Sequence, residues 1–193
     1  MVNQIRPALV MIALFTLLLG LAYPLAITGA AQLAFPSQAD GSLVRGPDGT
    51  VQGSSLIGQP FAEARYLHPR PSAAGDGYNA AGSSGSNLGP LNPDLMERVK
   101  TDADTLRAEA TGRPIPADAV TASASGLDPD ISPAYAALQA SRVATARGLT
   151  TAQVQGVIDR NTQGPLLGFI GQPRVNVLMT NRALDALAQP PAA

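Results

Sequence analysis

The sequence has no cysteine and no tryptophan, a single histidine (His68) and a single lysine (Lys100). Without cysteine, disulfides, thiolate metal sites and cysteine nucleophiles are excluded. With one histidine a His-cluster metal site is excluded as well, and only carboxylate sites remain open. No sign of charge dominates. Thirteen basic residues face 14 acidic ones, for a formal net charge of −1, so nothing argues for binding nucleic acid through a basic surface. Charge is also missing locally: between Arg6 and Asp40 there is none, which leaves Pro7 to Ala39 as a 33-residue uncharged stretch. Beyond Asp40 only Phe61, Tyr66, Tyr78, Tyr135 and Phe169 supply phenyl rings, so any core there must be largely aliphatic.

What fills the uncharged stretch is an apolar run. Ala8 to Ala22 reads ALVMIALFTLLLGLA, apolar on every face, which in water would need a surrounding core. Fifteen helical residues span only about 22 Å, short of a hydrocarbon layer of roughly 30 Å. The run continues past Tyr23-Pro24 as LAITGAAQLAF. A helix over residues 7–34 would measure about 42 Å, enough for a tilted span. Pro24 removes an amide donor and crowds the carbonyl of Gly20, which predicts a kink. The rival reading is a cleaved signal peptide, with Arg6 in its basic region and Gly29-Ala30-Ala31 as the cleavage site; the unbroken length favours a retained anchor. Arg6 before the span and Asp40, Arg45 and Asp48 after it predict a cytoplasmic segment 1–6, a transmembrane helix 7–34 and an extracytoplasmic domain 35–193.

Punctuation organises the rest. Pro47-Asp48-Gly49 predicts a turn between strands Ser42–Arg45 and Thr50–Gln52. Ser54–Arg65 reads as a strand running into a short helix. Residues 66–91 are dense in Gly, Ser, Ala, Pro and Asn; a segment of this kind (72–90 above all) is functional or disordered. Asn92-Pro93-Asp94 predicts a capped helix with Leu95, Val99 and Leu106 on one face, ending near Thr111-Gly112. Ala119–Ala124 reads as a weak strand. Ser132-Pro133 opens a second helix running to Arg147, with Gly148 as its left-handed terminator. Thr150-x-x-Gln153 has the capping-box pattern for a third, over 150–161, with Val154, Val157 and Ile158 as its apolar face. Val175–Met179 reads as a strand, and Asn181 as the cap of a last helix carrying Leu184 and Leu187. Ile-Gly-Gln-Pro occurs twice, at Ile57–Pro60 and Ile170–Pro173, which predicts two similar extended-then-turn corners.

Catalytic signatures are sparse. A Ser-His-Asp triad would need His68, with Ser72, Ser83, Ser84 or Ser86 and Asp76 near it in sequence, but no Gly-x-Ser-x-Gly elbow is present. Asp128-Pro129-Asp130 lacks the alternating ligands of a calcium loop and reads as a turn. No phosphate-binding Gly-x-x-x-x-Gly-Lys-Ser/Thr loop exists. The backbone amides of the Gly/Ser-rich loop could form an anion nest or a partner contact, with Tyr66, Arg70 and Tyr78 as interface anchors. A membrane-anchored hydrolase using His68 and a stand-alone binding module are the alternatives these residues leave open.

An ordered set of short motifs carries a resemblance. Tyr23-Pro24-Leu25 in the span is followed by Leu56-Ile57-Gly58-Gln59, Tyr66-Leu67-His68-Pro69-Arg70-Pro71-Ser72, Ser83-Ser84-Gly85-Ser86-Asn87-Leu88 and Asn92-Pro93-Asp94-Leu95. Then come Val120–Asp128 (VTASASGLD), Ile131-Ser132-Pro133, Arg142-Val143-Ala144 and Val175-Asn176-Val177. Together these resemble the KdpC family, the small C subunits of the bacterial Kdp potassium-transporting P-type ATPase. The resemblance implies an inner-membrane complex with KdpA, KdpB and KdpF, in which this chain is not phosphorylated and raises the ATP affinity of KdpB. It also implies a nucleotide-related role for Gln153. Leu149-Thr150-Thr151-Ala152-Gln153 resembles a transporter signature Leu-Ser-x-x-Gln, with Thr in place of Ser, although the capping box explains the same residues. The expected fold is α+β: one transmembrane helix, then one mixed domain.

Overall fold

The computed structural model describes residues 2–188 and divides them into two compact units, up to Gln52 and from Gly53 onward. The first unit opens on one continuous helix, Ile5–Ala34, none of it buried. It comprises α1 (Ile5–Leu17), a wide π turn over Leu18–Ala22 and α2 (Tyr23–Ala34). The kink expected at Pro24 takes the form of that π turn. Tyr23 N–H bonds the carbonyl of Leu18, five residues back. The widened turn accommodates a proline that cannot donate to Gly20, and the helix runs on unbroken. A short α3 (Pro36–Ala39) follows, and Gln32 Nε2 donates to Asp40 Oδ1 at 3.0 Å. Next come β1 (Leu43–Arg45) and β2 (Val51–Ser54), paired as a hairpin. Its turn forms as the sequence predicts: Asp48 Oδ1 accepts from Thr50 N at 3.1 Å and from Thr50 Oγ1 at 2.7 Å.

The second unit is built on four helices. α4 (Pro93–Ala110) starts where Asn92 Oδ1 accepts from Asp94 N at 2.8 Å, and it ends on Thr111 in the left-handed region. α5 (Pro133–Arg147) starts on Ser132, whose Oγ accepts from Tyr135 N at 3.0 Å, and stops at Gly148, φ 66°. α6 (Thr151–Arg160) carries the full capping box. α7 (Val177–Ala188) packs on α6, and α6 on α5. A small antiparallel sheet has the order β3 (Asp130–Ile131), β5 (Arg174–Asn176), β4 (Thr162–Gln163), with Ile131 opposite Val175 and Thr162 opposite Val175 on the other edge. Leu67, Ile131, Tyr135, Val143, Val154, Val157, Ile158, Val175 and Leu184 form the core between helices and sheet.

Several expectations need correction. Ser54–Arg65 forms no helix; β2 ends at Ser54 and irregular turns follow, because Pro60 and Gly58 interrupt any helical run. Ala119–Ala124 is not a strand but the end of a single tight turn (Ala117–Ala119) and irregular chain. The strand expected over Val175–Met179 is only Arg174–Asn176, because the helix starts earlier. Asn176 Oδ1 accepts from Met179 N at 3.1 Å, so Asn176 is the cap and Asn181 lies inside α7. The two Ile-Gly-Gln-Pro corners also differ. A Cβ on Gly58 would stand 2.5 Å from the carbonyl oxygen of Asp128, whereas one on Gly171 would meet open space.

Candidate interaction surface

The Gly/Ser-rich segment is mostly irregular chain, with a turn over residues 74–78 and one short 3-10 helix (Ala80–Gly82), and side chains lock it to the domain. Leu67 is fully buried, and Asn181 grips its backbone from α7: Leu67 N donates to Oδ1 at 2.8 Å, and Nδ2 donates to the Leu67 carbonyl at 3.0 Å. One residue on, Gln139 of α5 does the same for His68, at 2.7 and 3.0 Å. Two buried amide side chains thus replace a neighbouring strand, since buried backbone groups must find partners. Arg142 Nη1 holds the carbonyls of Ala64 and Tyr66 at 2.7 and 3.0 Å, and its Nε pairs with Glu109 at 3.1 Å. Arg147 pairs with Asp185 at 2.8 Å beneath the Tyr66 ring.

Beyond His68 the chain is zipped to residues 120–130. Arg70 Nη1 pairs with Asp128 Oδ2 at 2.7 Å, and its Nε donates to the Thr121 carbonyl at 3.3 Å. Ser72 Oγ donates to the Gly126 carbonyl at 2.6 Å and accepts from Tyr78 N at 2.8 Å, while the Tyr78 hydroxyl donates back to the Arg70 carbonyl. Gly126 has φ 66°, and a Cβ there would stand 2.6 Å from both Ala74 N and Ser84 O, so this position requires glycine. Burial pushes the Tyr78 phenol above its ordinary range and the Tyr135 phenol up to about 12, so both act as neutral hydroxyls. Phe61, His68, Arg70, Tyr78, Asp102 and Tyr135 are among the residues lining a groove of about 360 Å³.

The expected residues fall as follows. His68 Nε2 lies 3.2 Å from the carbonyl of Glu63, and burial, then the Arg142 charge, lowers the imidazole's pKa below 6.5. The hydroxyls of Ser72, Ser83 and Ser84 donate to the carbonyls of Gly126, Ser125 and Gly85. They do not form a hydrogen-bonded relay with His68, the geometry that a triad needs. Among the described residues no group of three or more His, Cys, Asp or Glu side chains could hold a metal ion. Gln153, at the exposed start of α6, has its Oε1 accepting from Thr150 N at 2.8 Å and from Thr150 Oγ1 at 3.0 Å. Its own N–H donates to Thr150 Oγ1 at 3.2 Å. Residues 149–153 carry no charge. The capping box accounts for the positions of Thr150 and Gln153 at the start of α6.

Of the residues picked out as anchors, Arg70 pairs with Asp128 and Tyr78 bonds Ser72 and Arg70, whereas Tyr66 stands apart, against Phe61, Arg147 and Asp185. Sequence reasoning misses Gln139 and reads Asn181 only as a helix cap. Their only signal is an amide in an otherwise apolar helical face.

The comparisons with known proteins decide the family. The profile described as "KdpC: K+-transporting ATPase, c chain" matches residues 5–186. The chain belongs to the KdpC family. It is 69% identical over 186 residues to the potassium-transporting ATPase KdpC subunit of Caulobacter sp. (strain K31), covering 96% of this chain and 95% of that one. It is 66% identical to the KdpC subunit of Caulobacter vibrioides (strain NA1000 / CB15N) over 98% of this chain and 96% of the relative. With that of Beijerinckia indica subsp. indica it shares 61% identity over 96% of this chain and 95% of the relative. In this KdpC chain the apolar helix Ile5–Ala34 precedes the unit that carries the locked segment.

Proposed function

We propose that this KdpC chain is a non-phosphorylated accessory subunit of an ATP-driven potassium uptake pump, required for its assembly and activity. The match to KdpC subunits over residues 5–186 carries the reading. In the proposed arrangement Ile5–Ala34 is a retained single-pass anchor in the bacterial inner membrane, with the amino terminus in the cytoplasm and the second unit on the extracytoplasmic side. Its 30 residues exceed the roughly 7–15 of a signal-peptide core, and none is buried, which in water would be unfavourable. The partners are KdpA, KdpB and KdpF. Because the domain is then on the far side from ATP, it raises the ATP affinity of KdpB as a coupling free energy transmitted through the membrane subunits.

Two measurements test this. In mild detergent the chain should co-purify with KdpA and KdpB; its recovery alone would sink the reading. A Gly89→Cys variant supplies the only thiol, at an exposed position where a side chain meets open space. A membrane-impermeant maleimide should label it from outside in intact spheroplasts. Labelling only after inverting the membranes would reverse the topology while leaving membership of the complex intact.

A further inference from the structure

The groove that carries Phe61, Tyr78, Asp102 and Tyr135 holds polar atoms that the domain itself does not satisfy. Tyr135 of α5 is only 4% exposed and lines the groove, yet its hydroxyl has no hydrogen-bond partner among the described residues. Buried polar groups in native proteins are nearly always paired. Asp102 of α4 accepts no hydrogen bond among the described residues either. Its Oδ2 is buried and lies 3.9 Å from Arg98 Nη1, too far for a hydrogen bond, and Arg98 Nε is likewise unpartnered. Burial raises the Asp102 pKa more than the Arg98 charge lowers it, as expected of a carboxylate short of partners. After burial, Asp102 is among the carboxylates whose charge raises the Tyr135 phenol, so the two groups are within electrostatic reach. The other charged side chains of the lining are accounted for. Arg70 is paired with Asp128 at 2.7 Å, and the lowered pKa of His68 keeps its ring mainly neutral at pH 7. Pro60, Pro69 and Pro71 give the groove an apolar wall.

We infer that this groove binds a free primary alkylammonium ion, its nitrogen between the Asp102 carboxylate and the Tyr135 hydroxyl and its stem along the prolines. An ammonium has three donors and no acceptor, so one nitrogen serves a carboxylate and a hydroxyl oxygen together. The rings of Phe61 and Tyr78 add attraction for an organic cation. A guanidinium fits less well, because its paired hydrogen bonds need both carboxylate oxygens and Oδ2 is buried. At about 360 Å³ the groove is at the small end of ligand sites, which run from about 300 to 1,000 Å³. A short amine is therefore the occupant that matches its size, its charge and its unpaired atoms.

The test titrates the full chain in detergent micelles with n-butylammonium chloride, and with n-butanol as the neutral match, following amide signals by NMR. Butylammonium should shift signals around Asp102 and Tyr135 saturably, and butanol should bind about tenfold more weakly or not at all. Asp102→Asn should weaken butylammonium binding about tenfold or more, and Tyr135→Phe severalfold, with circular dichroism and Tm unchanged. Equal binding of butanol, unaltered affinity in both variants, or the same shifts with potassium chloride at matched concentration would each overturn the inference. If Asp102→Asn does not fold, the contrast between ammonium and alcohol in the parent chain decides alone. Butylammonium binding that is lost once the chain is assembled with the other pump subunits would put a neighbour's residue in the groove and overturn the free-ligand reading.

Discussion

At the scale of single residues the domain depends on polar side chains buried to serve backbone. Asn181 and Gln139 are 1% exposed, and each satisfies an N–H and a carbonyl of the extended segment. Asn181→Ala leaves the Leu67 amide and carbonyl buried without partners. At about 1–3 kcal/mol for each orphaned group, the loss should be roughly 2–6 kcal/mol, read as a drop in midpoint in a urea titration at unchanged m-value. His68 gives a pH signature. Burial first, then the Arg142 charge, depresses its folded pKa, so the folded state prefers the neutral ring. The stabilisation from neutrality is complete above the unfolded value of 6.5 and is lost as pH falls from there through the folded value. Tm should therefore decline from pH 7.5 to 5.5, and His68→Asn should flatten that decline. Asp102 and Asp130, whose pKa values burial raises from 3.8, act in the opposite direction and in a more acidic window. An unflattened decline in the variant would assign the pH effect to other groups.

At the scale of elements, whatever depends on neighbours in sequence was legible. Asn92-Pro93, Ser132-Pro133 and Thr150-x-x-Gln153 each start a helix within a residue of expectation, because a cap is a local hydrogen bond. The strand boundary near Val175 was misread for the same reason turned around: Asn176 and Asn181 are both good caps, and only the packing of α7 selects Asn176. The amide grips were illegible because their partners lie 114 and 71 residues apart. Gly126 and Gly58 looked like loop glycines, although chain from elsewhere presses on both. In the candidate surface Arg70, Tyr66 and Tyr78 were read as interface anchors, and the bonds they make within the domain were not legible. The capping box also yields a prediction. Thr150→Ala should destabilise the domain by about 1 kcal/mol, measured by denaturation. In the assembled pump it should leave the ATP dependence of hydrolysis unchanged; a raised KM for ATP would instead connect this segment to nucleotide.

At the scale of the whole molecule two units of opposite character share one chain, an exposed apolar helix and a domain whose core is largely aliphatic. The helix is not uniform. Its π turn inserts one extra residue into the repeat, which turns the face of α2 relative to α1 by about 100°. A partner helix in the bilayer that follows one stripe on α1 must therefore meet a different stripe on α2. Deleting Leu19 should preserve insertion but weaken assembly, read by recovery of the complex on gel filtration. Insertion lost along with assembly would show that the turn matters to the span itself.

The grip of Asn181 on Leu67 has a consequence in time. Synthesis delivers the anchor first, then Leu67, and Asn181 only 114 residues later. Until that asparagine emerges, the segment carrying Leu67 and His68 lacks one of its two clamps, and contacts this distant in sequence form slowly. The newborn domain thus waits, incompletely clamped and open to proteases, for its last described helix. A chain arrested before residue 181 should be degraded where the full chain survives, so that only completed subunits are offered for assembly.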